Sequence, residues 1–231
     1  KPVSKILDIP EIAASHVAAI AFTSGSTGTP QPHLKSWDSM VRIARNTGHR
    51  LIPGDMKEVS IVATVPPQHM YGLETSIMLP LQHKGALHGG RPFFPIDIRD
   101  ALETVPPDRI LITTPMHLKA CIESSVKFPK ISLIISATAP LSRKLAENAE
   151  QLLDTQVFEI YGCTEAGSLA TRQTTKSNAW KLLDEINLKG DNDQCYIEAT
   201  YLPQPIKLPD IIKNCENGLF DLQGRSVDLI N

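Results

Sequence analysis

Residues 131–167, ISLIISATAPLSRKLAENAEQLLDTQVFEIYGCTEAG, decide the reading of the fold. Ile131 to Ser136 is mostly apolar and suits a parallel strand covered on both faces. Ser142 is a good N-cap for a helix running to Leu153, a stretch rich in Ala, Leu and Glu. Gln156 to Ile160 then reads as the next strand. Strand, helix and strand in that order form the crossover unit of an α/β layout.

The same alternation extends toward the N-terminus. His16 to Phe22 reads as a buried strand, followed by a glycine-rich loop and a helix from Ser36 to Arg45. Ser36 is the N-cap of that helix, with Trp37, Met40, Val41 and Ala44 on one face. Ser60 to Val65 is expected as a strand, Leu73 to Gln82 as a helix interrupted by Pro80, Arg109 to Thr113 as a strand and Met116 to Ser124 as a helix. After about Thr171 the segments turn polar and proline-broken, with short strands at Tyr196 to Tyr201 and Leu219 to Gln223 and a turn at Asn217 and Gly218. The expected architecture is an α/β core over residues 1–170, a mostly parallel sheet flanked by helices, followed by a smaller β-rich subdomain over residues 171–231.

Composition narrows the function classes. With 42% hydrophobic and 21% charged residues the chain has ordinary globular usage, which excludes a disordered tail or fibrous repeat. A net charge of -2 gives no overall basic field to hold nucleic acid or anionic lipid. Apolar runs such as Val17 to Phe22 fall far short of the roughly 20 residues that span a bilayer. Cys121, Cys163, Cys195 and Cys215 are scattered without metal-ligand spacing, which suits free thiols in a reducing compartment, the cytoplasm by expectation. The chain starts at Lys1 rather than Met, which leaves room for a piece upstream.

Two segments carry chemistry. Thr23, Ser24, Gly25, Ser26, Thr27, Gly28, Thr29 and Pro30 lie between the first strand and the first helix and supply two glycines and five hydroxyls. Glycines let successive N–H groups converge on phosphate oxygens, and the hydroxyls add donors without bulk. The spacing matches neither the P-loop pattern nor the dinucleotide fingerprint, so taken alone the stretch reads equally well as a flexible surface loop. The second segment, Tyr161, Gly162, Cys163, Thr164 and Glu165, follows a strand at the carboxyl edge of the sheet, where ligands collect. An aromatic ring can stack on a purine, a hydroxyl can donate to phosphate and a carboxylate can hold Mg²⁺; the alternative is a turn containing a core tyrosine.

Together these segments resemble the acyl-adenylate-forming superfamily of acyl- and aryl-CoA synthetases, peptide-synthetase adenylation domains and luciferases. The likeness extends to Gln68–Gly72, similar to the family's His-containing acyl-pocket segment, and to Ala137–Leu141, similar to its adenine-edge loop. Gly224 and Arg225 with Asp228, Leu229 and Ile230 resemble its hinge arginine motif, and Asp210 lies fourteen positions earlier, where the family carries a ribose-binding aspartate. Within the superfamily, Ser136–Leu141, Glu159–Gly167 and Phe220–Asn231 look most like the AMP ligases of aryl-polyene and xanthomonadin-type pathways.

The resemblance implies ATP-dependent activation of a carboxylic acid. The acid attacks the α-phosphate of ATP, pyrophosphate leaves, and a pantetheine thiol of CoA or an acyl carrier protein attacks the adenylate. By position, Thr23, Ser24, Gly25, Ser26, Thr27 and Gly28 would cradle phosphates. Tyr161 would stack on adenine, and Ala137, Thr138, Ala139 and Pro140 would border it. Thr164 would donate to the α-phosphate, Glu165 would hold Mg²⁺, and Asp210 and Arg225 would bind ribose. His69, assigned to the catalytic set as well, and Tyr71 would border the acyl pocket, with Gly162 and Gly167 leaving room for a flat aromatic acid.

Departures from the pattern limit what carries over. Gln31 stands where the family often has Lys, and His33 and Lys35 read as surface residues rather than replacements for that cation. Val227 replaces a polar hinge residue. The family continues past the position of Asn231 into a C-terminal lid domain bearing a catalytic lysine, so the chain is expected to be a fragment of low activity without that lid. Cys163 reads as pocket lining and not as a nucleophile. A non-catalytic nucleotide-binding or scaffolding module is the competing reading. A serine hydrolase is disfavoured because Gly25 and Gly28 do not form a nucleophile elbow around Ser24 or Ser26.

Overall fold

A computed structural model describes residues 11–23, 30–190 and 194–225, without the side chains of residues 214, 215 and 225. The chain opens with β1 (Val17–Thr23) and β2 (Gln31–Ser36), then α1 (Trp37–Leu51) and β3 (Val59–Ala63). A helical segment follows in three parts: α2 (Met70–Gly72), a π-helical turn (Leu73–Met78) and α3 (Leu79–Gln82). Next come β4 (Gly85–Leu87), α4 (Pro95–Thr104), β5 (Arg109–Thr113), α5 (Pro115–Glu123), β6 (Leu133–Ser136) and α6 (Arg143–Leu153). The remainder is strand: β7 (Val157–Cys163), β8 (Gly167–Arg172), β9 (Trp180–Leu182), β10 (Ile186–Lys189), β11 (Tyr196–Ala199), β12 (Ile206–Lys207), β13 (Asp210–Glu216) and β14 (Leu219–Arg225).

The main sheet has nine strands in the order β13-β14-β9-β8-β7-β6-β5-β3-β4. Pairing is parallel from β4 through β7 and antiparallel from β7 through β13. The inner parallel strands β3, β5 and β6 are buried on both faces, which is why they are largely apolar runs. Successive side chains alternate between faces. Ile61, Ile110, Ile112, Leu133 and Ile135 pack with Leu51, Tyr71 and Leu79. Val62, Leu111 and Ile134 point the other way, against Ile98, Leu102, Leu118, Ala146 and Ala149. So α1 and the α2–α3 segment cover one face, and α4, α5 and α6 the other. The caps match the sequence: Ser36 and Ser142 accept from Ser39 N and Leu145 N at the starts of α1 and α6.

The antiparallel half has its own core of Tyr161, Leu169, Trp180, Leu182 and Phe220. Asn217 and Gly218, at φ 52° and 75°, turn β13 into β14. The strands β10, β11 and β12 form a separate small sheet. The boundary expected at residue 170 falls inside β8, and the main sheet draws β9, β13 and β14 from beyond it.

Three elements differ from expectation. The first strand is not buried among the described residues: β1 pairs there with β2 alone, with Ile20 52% and Phe22 63% exposed, while Ala19 packs against α1. An apolar run signals a buried strand only where both faces find a layer, and here one does not. Secondly, the glycine-rich stretch does not lead straight into a helix, because β2 intervenes. Its sequence, QPHLKS, carries no periodic apolar signal. Finally, the stretch Leu73–Gln82 is not one α-helix interrupted by Pro80 but two helical pieces of different winding. The segment changes from a π-helical turn to α3 at Leu79, next to Pro80, which lies in the first turn of α3.

Candidate active site at the carboxyl edge of the sheet

Beyond the carboxyl end of β6, Ala137 is buried while Thr138, Ala139 and Pro140 are exposed. Thr138 holds φ 77°, a left-handed conformation that a β-branched residue rarely adopts and that clusters at binding sites. Glu159, one strand over on β7, fastens this loop: its Oε1 accepts from Leu141 N at 3.0 Å. Its Oε2 accepts from Arg172 Nε at 2.6 Å and from the Thr174 hydroxyl. Sequence reading passed over Glu159, although a carboxylate inside the strand run VFEI was a signal that it had a partner.

Tyr161 lies within β7 rather than after it, on the same face as Glu159. Its ring packs against Trp180 and Phe220, and its hydroxyl donates to Asp210 Oδ2 at 2.8 Å. Two residues assigned separately to adenine and ribose, 49 positions apart, are thus in direct contact. Burial leaves Tyr161 8% exposed.

The turn from β7 to β8 carries Thr164 and Glu165, both half-buried. Its geometry depends on glycine. A Cβ at Gly162 would meet the Gly167 carbonyl oxygen at 2.2 Å, and Gly167 has φ +85°. The room expected beside these two glycines is therefore occupied by neighbouring protein atoms. The hairpin β1–β2 approaches the same turn. His33 Nε2 lies 3.1 Å from Thr23 Oγ1 and 3.8 Å from Glu165 Oε1. Lys35 Nζ donates to the Glu165 carbonyl at 2.7 Å. Neither is the surface residue expected: Lys35 is only 4% exposed and His33 is half-buried. The reason is non-local, since Lys35 finds its acceptor 130 residues away.

Comparison with known proteins gives this arrangement a family. The model of the AMP-binding enzyme family matches residues 3–201. This chain belongs to the AMP-binding enzyme family. A 4-coumarate–CoA ligase from Halorhodospira halophila is 32% identical over 174 residues, covering 74% of this chain and 42% of that protein. A 4-coumarate–CoA ligase from Rhodobacter capsulatus is 28% identical over 218 residues, covering 92% of this chain and 53% of its own. The chain thus spans about half the length of the curated relatives it matches. Among solved structures, apo MatB from Rhodopseudomonas palustris superposes with a TM-score of 0.80 at 17% identity, over 96% of this chain and 50% of that one. An E. coli MenE variant with bound OSB-AMS gives 0.77 at 15% identity, over 95% and 51%. These structures share the fold, a mostly parallel sheet flanked by helices.

Several residues of this AMP-binding family member stand apart from the cluster or outside the described residues. Ser24, Gly25, Ser26, Thr27 and Gly28, together with Val227 and the residues after it, lie outside the described residues, as does the side chain of Arg225. His69 is exposed at the start of α2. Tyr71 is buried, its hydroxyl donating to the Thr113 and Ile135 carbonyls, so it joins the ends of β5 and β6 from below. Burial pushes the Cys163 thiol up to about 12, which keeps it protonated and unreactive, in line with a lining role. Glu165 offers a single half-buried carboxylate. That suits a Mg²⁺ held chiefly by nucleotide phosphates, since this ion binds through one or two carboxylates plus substrate oxygens. Among the described residues no group of three or more His, Cys, Asp or Glu could hold a metal alone.

Glu74, on the π-helical turn, is a buried carboxylate beside the site. It is 3% exposed, and burial raises its carboxyl to about 7, against the pull of its hydrogen bonds to Ser168 and the charge of Lys35. The ordinary carboxylate value is 4.5, so the folded state binds this proton more tightly than the unfolded chain. The stability it contributes is complete below about pH 4.5 and is lost as pH rises through about 7, a total of about 3 kcal/mol. Glu74→Gln is expected to abolish this component. Urea unfolding from about pH 5 to about pH 8 should show the wild-type stability falling relative to the variant. Parallel curves would contradict it.

Proposed function

We propose that the chain forms the nucleotide-binding part of an enzyme that activates a carboxylic acid as its adenylate and passes the acyl group to a thiol. The observation that carries this reading is the contact series Thr23, His33 and Glu165, which brings the base of the glycine-rich loop to the tyrosine-motif turn. The Tyr161–Asp210 hydrogen bond supports it on the nucleoside side.

In this reading Tyr161 and the loop Ala137–Pro140 receive adenine, with Asp210 and Arg225 on the ribose. Residues 23–28 hold the β- and γ-phosphates, and Thr164 donates to the α-phosphate. Glu165 would hold a Mg²⁺, which would supply charge neutralisation for the phosphates. The acid's carboxylate oxygen forms a bond to the α-phosphorus as the bond to pyrophosphate breaks. A thiolate of CoA or of a carrier protein's phosphopantetheine then displaces AMP. No covalent enzyme intermediate is required, so the protein contributes position and electrostatics. Lys35 contributes by fixing the Glu165 carbonyl, and Glu159 by fixing the loop at residue 141. His69 and Tyr71 border the acyl side, and Gly162 and Gly167 permit the tight turn that carries Thr164 and Glu165.

An aromatic acid is the favoured substrate, supported by the two 4-coumarate–CoA ligases among the relatives. A pigment-pathway AMP ligase is the corresponding subfamily. ATP–pyrophosphate exchange with the full gene product tests both levels. Exchange is expected with hydroxybenzoates or cinnamates and little with long-chain fatty acids. The reverse order would remove the aromatic preference and leave the adenylation reading standing. Nucleotide binding without exchange on any acid would favour the non-catalytic module, a reading to which Gln31 at the usual cation position lends some weight.

A further inference from the structure

Side chains along β2 alternate between two faces. Pro32 and Leu34 turn outward beside their exposed partners Phe22 and Ile20 on β1. Gln31, His33 and Lys35 share the other face with Thr23 and Ala21. Along this row burial deepens: Gln31 is exposed, His33 half-buried and Lys35 buried. Lys35 already has a task, since its ammonium is held against the Glu165 carbonyl at 2.7 Å. Gln31 carries no charge and stands where the family often has lysine. The nitrogen left on this face is the imidazole of His33.

His33 stands between the two walls to which the acid-activating reading assigns the phosphates. Its Nε2 is 3.1 Å from Thr23 Oγ1, at the base of the glycine-rich loop, and 3.8 Å from Glu165 Oε1, on the β7–β8 turn. The second distance is too long for a hydrogen bond, so the imidazole spans the gap without closing it. Its side chain is 24% exposed and that of Glu165 38%. Both line one groove of about 910 Å³, together with Lys35 and Ala166, so a ligand has access to the ring.

We propose that His33 is a substrate-contacting residue that donates from Nε2 to the β- or γ-phosphate of ATP, and to pyrophosphate as it leaves. It supplies the contact that a lysine at position 31 would otherwise make. The inference rests on the acid-activating reading above and adds a phosphate ligand that lies in neither the glycine-rich loop nor the tyrosine motif. Two positions along a strand is a step of about 7 Å on one face, so the imidazole is offered to the same side of the cleft as that lysine would be. AMP has no β- or γ-phosphate, so the contact separates the two nucleotides.

The test is calorimetric binding of ATP with Mg²⁺, and of AMP, to the full gene product. His33→Phe keeps a ring but has no donor, and is expected to weaken ATP on the order of 10-fold or more while changing AMP less than about 2-fold, as the loss of a hydrogen bond to a charged group would. His33→Gln keeps an N–H and should recover most of the ATP affinity. Gln31→Lys added to His33→Phe returns a cation to the same face and should restore ATP binding with AMP unchanged. Equal losses of ATP and AMP in His33→Phe would mean that the imidazole only ties the hairpin to the turn, and would overturn the inference; so would undiminished ATP affinity. A second measurement needs no variant: acylation of His33 by diethyl pyrocarbonate, mapped by mass spectrometry, should be blocked by ATP and by pyrophosphate but not by AMP. Protection by AMP as strong as by ATP overturns the inference as well. Wild type that binds neither nucleotide would instead strike the nucleotide-binding reading itself, and the proposal would fall with it.

Discussion

Glu159→Ala is expected to lower the unfolding free energy by about 3–5 kcal/mol, the usual cost of breaking a buried ion pair by removing one partner. The Glu159 side chain is 3% exposed and that of Arg172 17%, so the guanidinium left behind would have little water to turn to. Arg172 also lies over the Trp180 ring at 4.4 Å, which holds it in place and prevents it from swinging out to solvent. The amide of Leu141 would lose its acceptor at the same time. The loss should therefore appear twice: in chemical unfolding, and in weaker AMP binding by calorimetry, because the loop bearing Thr138 is no longer held to β7. Glu159→Gln keeps the acceptor for Leu141 and should spare binding more than stability. A shift below about 1 kcal/mol in Glu159→Ala would mean that the pair is no better than a surface contact.

Gly162→Ala is expected to cost about 3 kcal/mol, at the upper end for overpacking. Its added methyl would meet backbone atoms: the Gly167 oxygen at 2.2 Å, the Gly167 carbonyl carbon at 2.9 Å and the Ser168 Cα at 2.9 Å. Backbone cannot rotate away as a side chain can, so the β7–β8 hairpin must open where its register already shifts between Tyr161 and Gly162. That movement would carry Thr164 and Glu165 with it, and exchange activity should fall more steeply than stability. Gly54→Ala is the control, with nothing within 4 Å of the new carbon. Thermal unfolding of the two variants side by side decides the matter, and equal midpoints would refute the close-packing argument.

How much of this was legible beforehand follows from where each signal resides. The parallel half of the sheet could be read because Ile131–Ser136 and Arg109–Thr113 are apolar runs, and Ser36 and Ser142 are local caps. The strand β8, GSLATR, was missed because it opens on glycine and mixes small and polar residues, and its strand character comes from pairing with β7 and β9. For β1 the error was one of environment: its composition is that of a core strand, yet among the described residues one face of it finds no covering layer. Lys35 and Glu74 were invisible as site residues for the same reason. A lysine in QPHLKS and a glutamate in LETSIM look like solvent-facing charges until Glu165 and Ser168 arrive from more than 90 positions away. Tyr161 was singled out from its own segment and Asp210 from the family resemblance, and only folding puts them 2.8 Å apart.

The strand β7 is where the sheet changes direction, parallel to β6 on one side and antiparallel to β8 on the other. Its odd positions, Val157, Glu159 and Tyr161, turn to one face, and Phe158 and Ile160 to the other. Inserting or deleting one residue there would exchange the two sets, sending a carboxylate and a phenol into the space of a phenylalanine and an isoleucine. Across related genes this segment should therefore vary in its letters while keeping its length, and changes in length should accumulate instead around the small sheet of β10, β11 and β12.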